Sequence, residues 1–261
     1  NMQQIPRDNP IVKGCIRAKP GNKIVAMDLT TAEVYVAAVL SKDENLMNIF
    51  REGGNFHSSI AKLVYNLNCE VDDVIEYYPT ERQAAKAVTF GIMYGAGAAK
   101  ISEQVTKDSG KYFSKTEAQE VIDDYFTQFN KLRLWIDRSS KFIRDNGFIY
   151  SHFGRKRRLP NVASDNKGVA SHEVRSGLNF LVQSIASDIN LLGAIDTHNE
   201  LKNMPWGSEA KIFALVHDSI LAEVSETAVD SYRYLVRECI QKDRGVSIPD
   251  CPVGCDFDIG D

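Results

Sequence analysis

The chain lacks any run of 18 or more apolar residues, and no basic segment leads into an apolar one. Neither a membrane-spanning helix nor a secretory signal is therefore expected from it. Cysteine is sparse: Cys15, Cys69, Cys239, Cys251 and Cys255 are scattered and odd in number. That excludes a disulfide framework and suits a reducing compartment. Cys251 and Cys255 are close together, but no histidine or second cysteine pair completes a zinc pattern, so they read as structural. A surplus of basic charge is also missing, the formal net charge being −4. Nucleic-acid binding usually shows as a basic surface, so any such binding must use a local patch. The densest is Arg155-Lys156-Arg157-Arg158; a charge run is usually a solvated loop, but the flanks Phe153-Gly154 and Leu159-Pro160 make this one read as a structured turn presenting cations. Internal repeats and low-complexity tracts are absent.

What is present is an ordinary globular composition. The 261 residues are 43% apolar and 25% charged, enough for one large domain or two modest ones around a real core. Residues 1–22 are polar and irregular. Lys23-Ile-Val-Ala-Met-Asp28 follows Pro20-Gly21 and reads as a buried strand ending in a carboxylate. Thr30 or Thr31 can cap a helix that starts at Ala32. Asp28 is placed either for chemistry or simply as a turn residue. From Asp43 to Gly147 the pattern is helical, with segments near 44–52, 57–68, 80–94, 98–108, 115–127 and 129–146. His57 opens one of them, where it can pack or face an anion. A long helix over 168–199 carries Arg175, Asn179 and Gln183 at intervals of four, a polar stripe facing water or a partner with hydrogen-bonding edges. Lys211 to Val224 reads as two apolar strands joined through His217-Asp218-Ser219, a hairpin with Asp218 at its tip. A helix from Ala228 to Asp243 follows, then a last strand in which Val253, Cys255, Phe257 and Ile259 alternate. The fold class expected is α+β: an antiparallel sheet carrying Asp28 and Asp218, with a large helical insertion between its strands.

The insertion holds the most telling stretch. Arg82, Lys86, Phe90 and Tyr94 recur every four residues. At about 100° per residue each step drifts only about 40°, so they form one slowly turning stripe on a helix. Thr80 and Gln83 read as a capping box that starts this helix just before Arg82. Two fixed cations followed by an aromatic suit a polyphosphate ending in a flat base or sugar. An amphipathic helix with solvated charges has the same pattern. Two aspartates at neighbouring strand ends suit Mg²⁺, which takes one or two carboxylates plus phosphate oxygens. A pair of such ions about 3.5–4 Å apart can stabilise both attacking and leaving oxygens in phosphoryl displacement. Carboxylates, cations and an aromatic together describe nucleotidyl transfer.

In this order and spacing the chain resembles the polymerase domain of family A DNA polymerases, the family of bacterial DNA polymerase I and many phage replicases. Asp28-Leu-Thr-Thr-Ala-Glu33 resembles the family's first motif, and Arg82-xxx-Lys86-xxx-Phe90-xxx-Tyr94-Gly95 its second. Val216-His217-Asp218 resembles the third, Arg175-xxx-Asn179-xxx-Gln183 the helix contacting template and primer, and Met2-Gln-Gln-Ile-Pro-Arg7 the segment opening the palm. The resemblance implies a palm from 1–43 and 166–261 and helical fingers from 44–165. It implies two Mg²⁺ ions, with Mn²⁺ as a substitute, on Asp28, Asp218 and the Leu29 carbonyl. Arg82, Lys86 and His57 would hold the incoming dNTP, with Lys86 the proton donor to pyrophosphate, Phe90 stacking on sugar and base, and Glu33 the steric gate against ribose. Phe rather than Tyr at position 90 implies poor acceptance of dideoxynucleotides. Arg7, Tyr94, Gly95, Arg175, Asn179, Gln183 and His217 would contact primer–template DNA.

The chain departs from the family pattern at Thr31, Tyr35, Ser184-Ile185 and Ser219, the last standing where the family has an acid. Neither a thumb nor a 3′–5′ exonuclease fits into 22 residues. A split or trimmed polymerase is therefore expected, with a second polypeptide supplying the thumb and possibly the exonuclease. The location expected is cytoplasmic (host cytoplasm if phage-encoded), with no membrane partner. The rival readings are a catalytically weak or inactive polymerase-like DNA-binding subunit, supported by Ser219 and Tyr35, and a single-subunit RNA polymerase, disfavoured by Glu33.

Overall fold

The structure, a computed structural model, describes residues 14–93 and 95–260. Arg7 with its opening segment, and Tyr94, lie outside the described residues. In chain order the elements are β1 (Asn22–Thr30), α1 (Ala32–Ser41), α2 (Glu44–Glu52), α3 (Phe56–Val64), α4 (Val74–Tyr77), α5 (Pro79–Met93), α6 (Ala98–Ser109), α7 (Lys115–Gln128) and α8 (Asn130–Asn146). Then come β2 (Phe148–Tyr150), β3 (Lys156–Arg158), α9 (Lys167–Leu201), β4 (Ala210–Val216), β5 (Ser219–Ser225), α10 (Val229–Gln241) and β6 (Gly254–Gly260). Two compact units result. Among the described residues, one comprises 14–32, Ile185–Ser247 and 252–260; the other lies within Glu33–Ser184 and Ile248–Cys251.

The first unit is built on an antiparallel sheet of order β4-β5-β1-β6. Period-two alternation on β1 sends Val25, Met27 and Leu29 into the core, and Ile220, Ala222 and Val224 do the same on β5. Helix α10 covers that face with Tyr232, Val236 and Ile240. Burying each such side chain stabilises by roughly 1.5–3 kcal/mol. Because the alternation is strict, the opposite face must present Asp28, in register with Ser219 on one side and Asp256 on the other.

The second unit is mostly helical, as the sequence indicates, with several differences: α3 stops at Val64 where the pattern predicts a helix reaching 68, and the short α4 has no counterpart in the expected segments. Helix α5 begins at Pro79, about half a turn earlier than the Thr80–Gln83 box suggests. Pro79 takes its first position, where a missing N–H is no loss, and Arg82 N–H already donates to the Tyr78 carbonyl at 3.0 Å. Gln83 donates instead to Asp108 Oδ2 at 2.7 Å. The structured turn expected of the basic stretch is a β-ribbon, β2 pairing with β3, with Lys156–Arg158 in its second strand. Helix α9 is long and apolar enough to cross a bilayer, a property that no uninterrupted apolar run announces, yet 61% of its most apolar window is buried in the fold. That burial is the behaviour of a core helix.

Tyr35, one of the departures, has a structural task here. Only 1% exposed, its hydroxyl donates to the Cys251 carbonyl at 2.7 Å and accepts from Ile248 N–H at 2.9 Å. It thereby ties the 248–251 segment to α1. Tyr35→Phe leaves a buried N–H and a buried carbonyl without this partner, and should cost about 1–3 kcal/mol of unfolding free energy in urea titrations.

Candidate active site

In the sheet unit, Asp28 lies near the end of β1, where pairing with β5 stops at the Asp28–Ser219 register pair. One residue on, Leu29 pairs only with Cys255 of β6. Ser219 Oγ donates to Asp28 Oδ1 at 2.7 Å. Asp218 immediately precedes Ser219, so the β4–β5 turn brings the second carboxylate to the end of β1 that carries Asp28. That turn is tight: His217 has φ +54°, and Thr31, just past β1, has φ +48°. Left-handed backbone at non-glycine residues costs on the order of 1–3 kcal/mol and concentrates at functional sites. Among the described residues, no three Asp, Glu, His or Cys side chains gather as a metal cage. The donor set is a pair of carboxylates with a nearby main-chain carbonyl. It fits a hard ion such as Mg²⁺ that keeps water and takes substrate phosphates as its remaining ligands.

In the helical unit, the start of α3 meets the middle of α5. Asn55 caps α3 by accepting from Ser58 N–H at 3.1 Å. The same two residues hold Arg82: its Nε donates to Ser58 Oγ at 3.2 Å and its Nη2 to Asn55 Oδ1 at 3.3 Å. Sequence reasoning placed Asn55 and Ser58 at a helix start but not their hold on Arg82. Arg82 is thus fixed by neutral partners and keeps its charge uncompensated. Lys86, one turn along, is exposed and makes no ion pair among the described residues.

The His57 ring lies 5.4 Å from that of Phe90 and 5.5 Å from that of Phe56. Its Nδ1 is buried without a hydrogen-bond partner. Burial first, then the charges of Lys86 and Arg82, bring its pKa down to about 4. Two unneutralised cations, a helix N-terminus and an orphan imidazole nitrogen converge on one spot, and the missing component is an anion. Phe90 supplies a flat apolar wall beside it. The structure therefore brings together His57, Arg82, Lys86 and Phe90. From Phe56, aromatic contacts continue to Phe50 at 4.7 Å and to Tyr35 at 5.3 Å, bracing the spot from within.

The polar stripe on α9 is present, with Gln183 exposed and Arg175 and Asn179 half-buried. Gln183 Nε2 donates to Glu33 Oε1 at 3.3 Å, joining two residues assigned to different parts of the site. Gly95, at φ +66°, lies against Arg175, and a Cβ there would overlap the arginine's Cγ and Cδ. Only glycine satisfies both the backbone angle and this close approach.

Comparisons with known proteins converge. The model of DNA polymerase family A matches residues 1–261. The chain is 48% identical to the DNA polymerase of Escherichia phage T5 over 99% of this chain and 32% of that protein. To the thermostable DNA polymerase I of Thermus filiformis it is 32% identical, over 95% of this chain and 28% of that protein. The fold matches the solved POL domain of Pol1 from M. smegmatis, in complex with DNA primer–template and dNTP. The TM-score is 0.82 at 26% identity, covering 100% of this chain and 44% of that one. The chain thus spans about a third of the length of these curated relatives.

Proposed function

Because the chain belongs to DNA polymerase family A, we propose that it is the palm-and-fingers part of a DNA-directed DNA polymerase, adding dNTPs to a primer 3′-OH with release of pyrophosphate. The observation that carries this reading is the convergence of Arg82, Lys86, His57 and Phe90 on one anion-seeking spot. In this reading the sheet unit is the palm and the helical unit supplies the fingers. Asp28, Asp218 and the Leu29 carbonyl would hold Mg²⁺, which would supply charge neutralisation and activation of the 3′ oxygen. Arg82 and Lys86 grip the triphosphate and offset the charge growing on pyrophosphate. Lys86, exposed and unpaired, delivers a proton to it. Phe90 packs on the nucleotide. Glu33, tethered by Gln183, blocks the place of a ribose 2′-OH. Arg175, Asn179 and Gln183 follow primer–template DNA.

A span of about a third of its relatives supports a role for further polypeptide in the working enzyme, a thumb above all. Ser219 in place of an acid favours a second reading, a weakly catalytic DNA-binding subunit, and one assay separates the two. Magnesium-dependent primer extension is expected from the chain alone at low salt, short and distributive. It should become processive when the missing portion of a family polymerase is added in trans. No extension under either condition would leave the binding-subunit reading standing.

A further inference from the structure

The basic run that the polymerase reading leaves unused is not a loop. In the β2–β3 ribbon, Phe148 is in register with Arg158, Ile149 with Arg157, and Tyr150 with Lys156. Alternation therefore gives the ribbon two faces. Ile149 is buried against Ile143, Leu159, Val174 and Leu181. Arg157 shares that face: its Nη2 donates to Ser176 Oγ at 2.7 Å, and its guanidinium lies 5.6 Å from the Phe180 ring on α9. Gly177 lets the helix come this close, since a Cβ there would lie 2.6 Å from Leu159 Cδ1. The inner face is an anchor.

The outer face carries Phe148, Tyr150, Lys156 and Arg158, two aromatics interleaved with two cations. Lys156 Nζ sits 3.9 Å above the Phe148 ring, which is braced edge-on by Phe142 at 5.8 Å. Lys156 Nζ also lies 5.5 Å from the Tyr150 ring, which meets the Phe148 ring edge-on at 5.5 Å and is left 50% exposed. Neither Lys156 nor Arg158 has a carboxylate partner among the described residues, although the chain holds 35 acidic residues against 31 basic ones. An acidic protein has concentrated positive charge without carboxylate partners and a half-exposed tyrosine ring on one ribbon.

We propose that this outer face is a binding site for single-stranded nucleic acid, Lys156 and Arg158 holding phosphates and Tyr150 stacking on a base. Single-strand binders combine these two elements, a cationic track and aromatic platforms. The site adds an unpaired-strand contact to the polymerase reading, on which it rests only in taking nucleic acid as the partner. In the working enzyme the strand would be the template beyond the primer.

The test is anisotropy binding of a fluorescent oligothymidylate and of a blunt duplex across a salt series. It uses wild type, Lys156→Gln/Arg158→Gln, Tyr150→Ala and the charge-keeping Arg158→Lys, each checked for unchanged thermal unfolding. Removing two phosphate contacts should flatten the single-strand slope of log K against log salt by about 1.4, at about 0.7 per contact. Tyr150→Ala should weaken oligothymidylate binding on the order of tenfold while leaving the slope unchanged. Arg158→Lys should keep the slope, and blunt duplex should respond less than single strand to each variant. Wild-type slopes and affinities in the double Gln variant would overturn the proposal, even if the protein extends primers. Variant-sensitive binding by a chain that extends none would uphold the ribbon and sink the polymerase reading.

Discussion

Asp28→Asn and Asp218→Asn are each expected to reduce single-turnover primer extension on the order of 10³-fold or more, with thermal stability close to that of the wild type. A bound metal contributes several kcal/mol of transition-state charge stabilisation, and about 4 kcal/mol is three orders of magnitude in rate. Asparagine keeps the shape of aspartate, and its carbonyl can still accept from Ser219, so the 2.7 Å bond across β1 and β5 survives. Charge is what is lost. Ser219 itself gives a graded control. Because it lies directly opposite Asp28, an acid there would put like charges in register, which destabilises a sheet. Ser219→Asp should therefore unfold earlier in EDTA and recover with added Mg²⁺, as binding to the folded state alone stabilises it. Ser219→Ala should raise the Mg²⁺ concentration needed for half-maximal extension, since Asp28 then loses the bond that orients it. Full activity in Asp28→Asn would remove Asp28 from the chemistry.

What could be read in advance follows the range of the interactions involved. Asp28 at the end of β1 and the Arg82–Lys86–Phe90 stripe rest on periods of two and about four residues, which sequence displays directly. The start of α5 misleads because Thr80-x-x-Gln83 imitates a capping box that Pro79 has already made unnecessary, while the capping box that forms is Ser114–Glu117. The structured turn presenting cations was legible from its Phe153-Gly154 and Leu159-Pro160 flanks, but the β2–β3 pairing behind it was not, because strands of three residues carry no period. Tyr35 reads as a departure because its partners, Ile248 and Cys251, are 213 and 216 residues away. The Glu33–Gln183 tether spans 150 residues and leaves no local trace. Short-range chemistry was legible; the long-range polar ties that orient it were not.

Lys86→Ala should lower kcat/KM for dNTP by about 10²–10³-fold, the loss typical of one preorganised donor facing developing charge. The same substitution should leave a second signature in the absence of any reaction. His57 is pushed down to about 4 by burial, then by Lys86, then by Arg82. Between its ordinary value near 6.5 and about 4, the unfolded chain binds a proton that the folded chain refuses. Stability contributed at this site is therefore lost as pH falls through that window and retained above it. Inorganic tripolyphosphate supplies the missing anion, favours the imidazolium form, and should reverse part of the acid loss in Tm. Three measurements of Tm against pH then form a set. Wild type should show the loss and its rescue by tripolyphosphate, and His57→Gln should show neither. Lys86→Ala should begin to lose stability at the same pH as wild type, set by the unfolded imidazole, but stop losing it at a higher pH, because removing one cation lets the folded His57 pKa rise and narrows the window from below, so that its total acid loss is smaller. An acid loss in Lys86→Ala as large as in wild type would mean that the lysine's charge does not reach His57, and that the two do not share a polyphosphate.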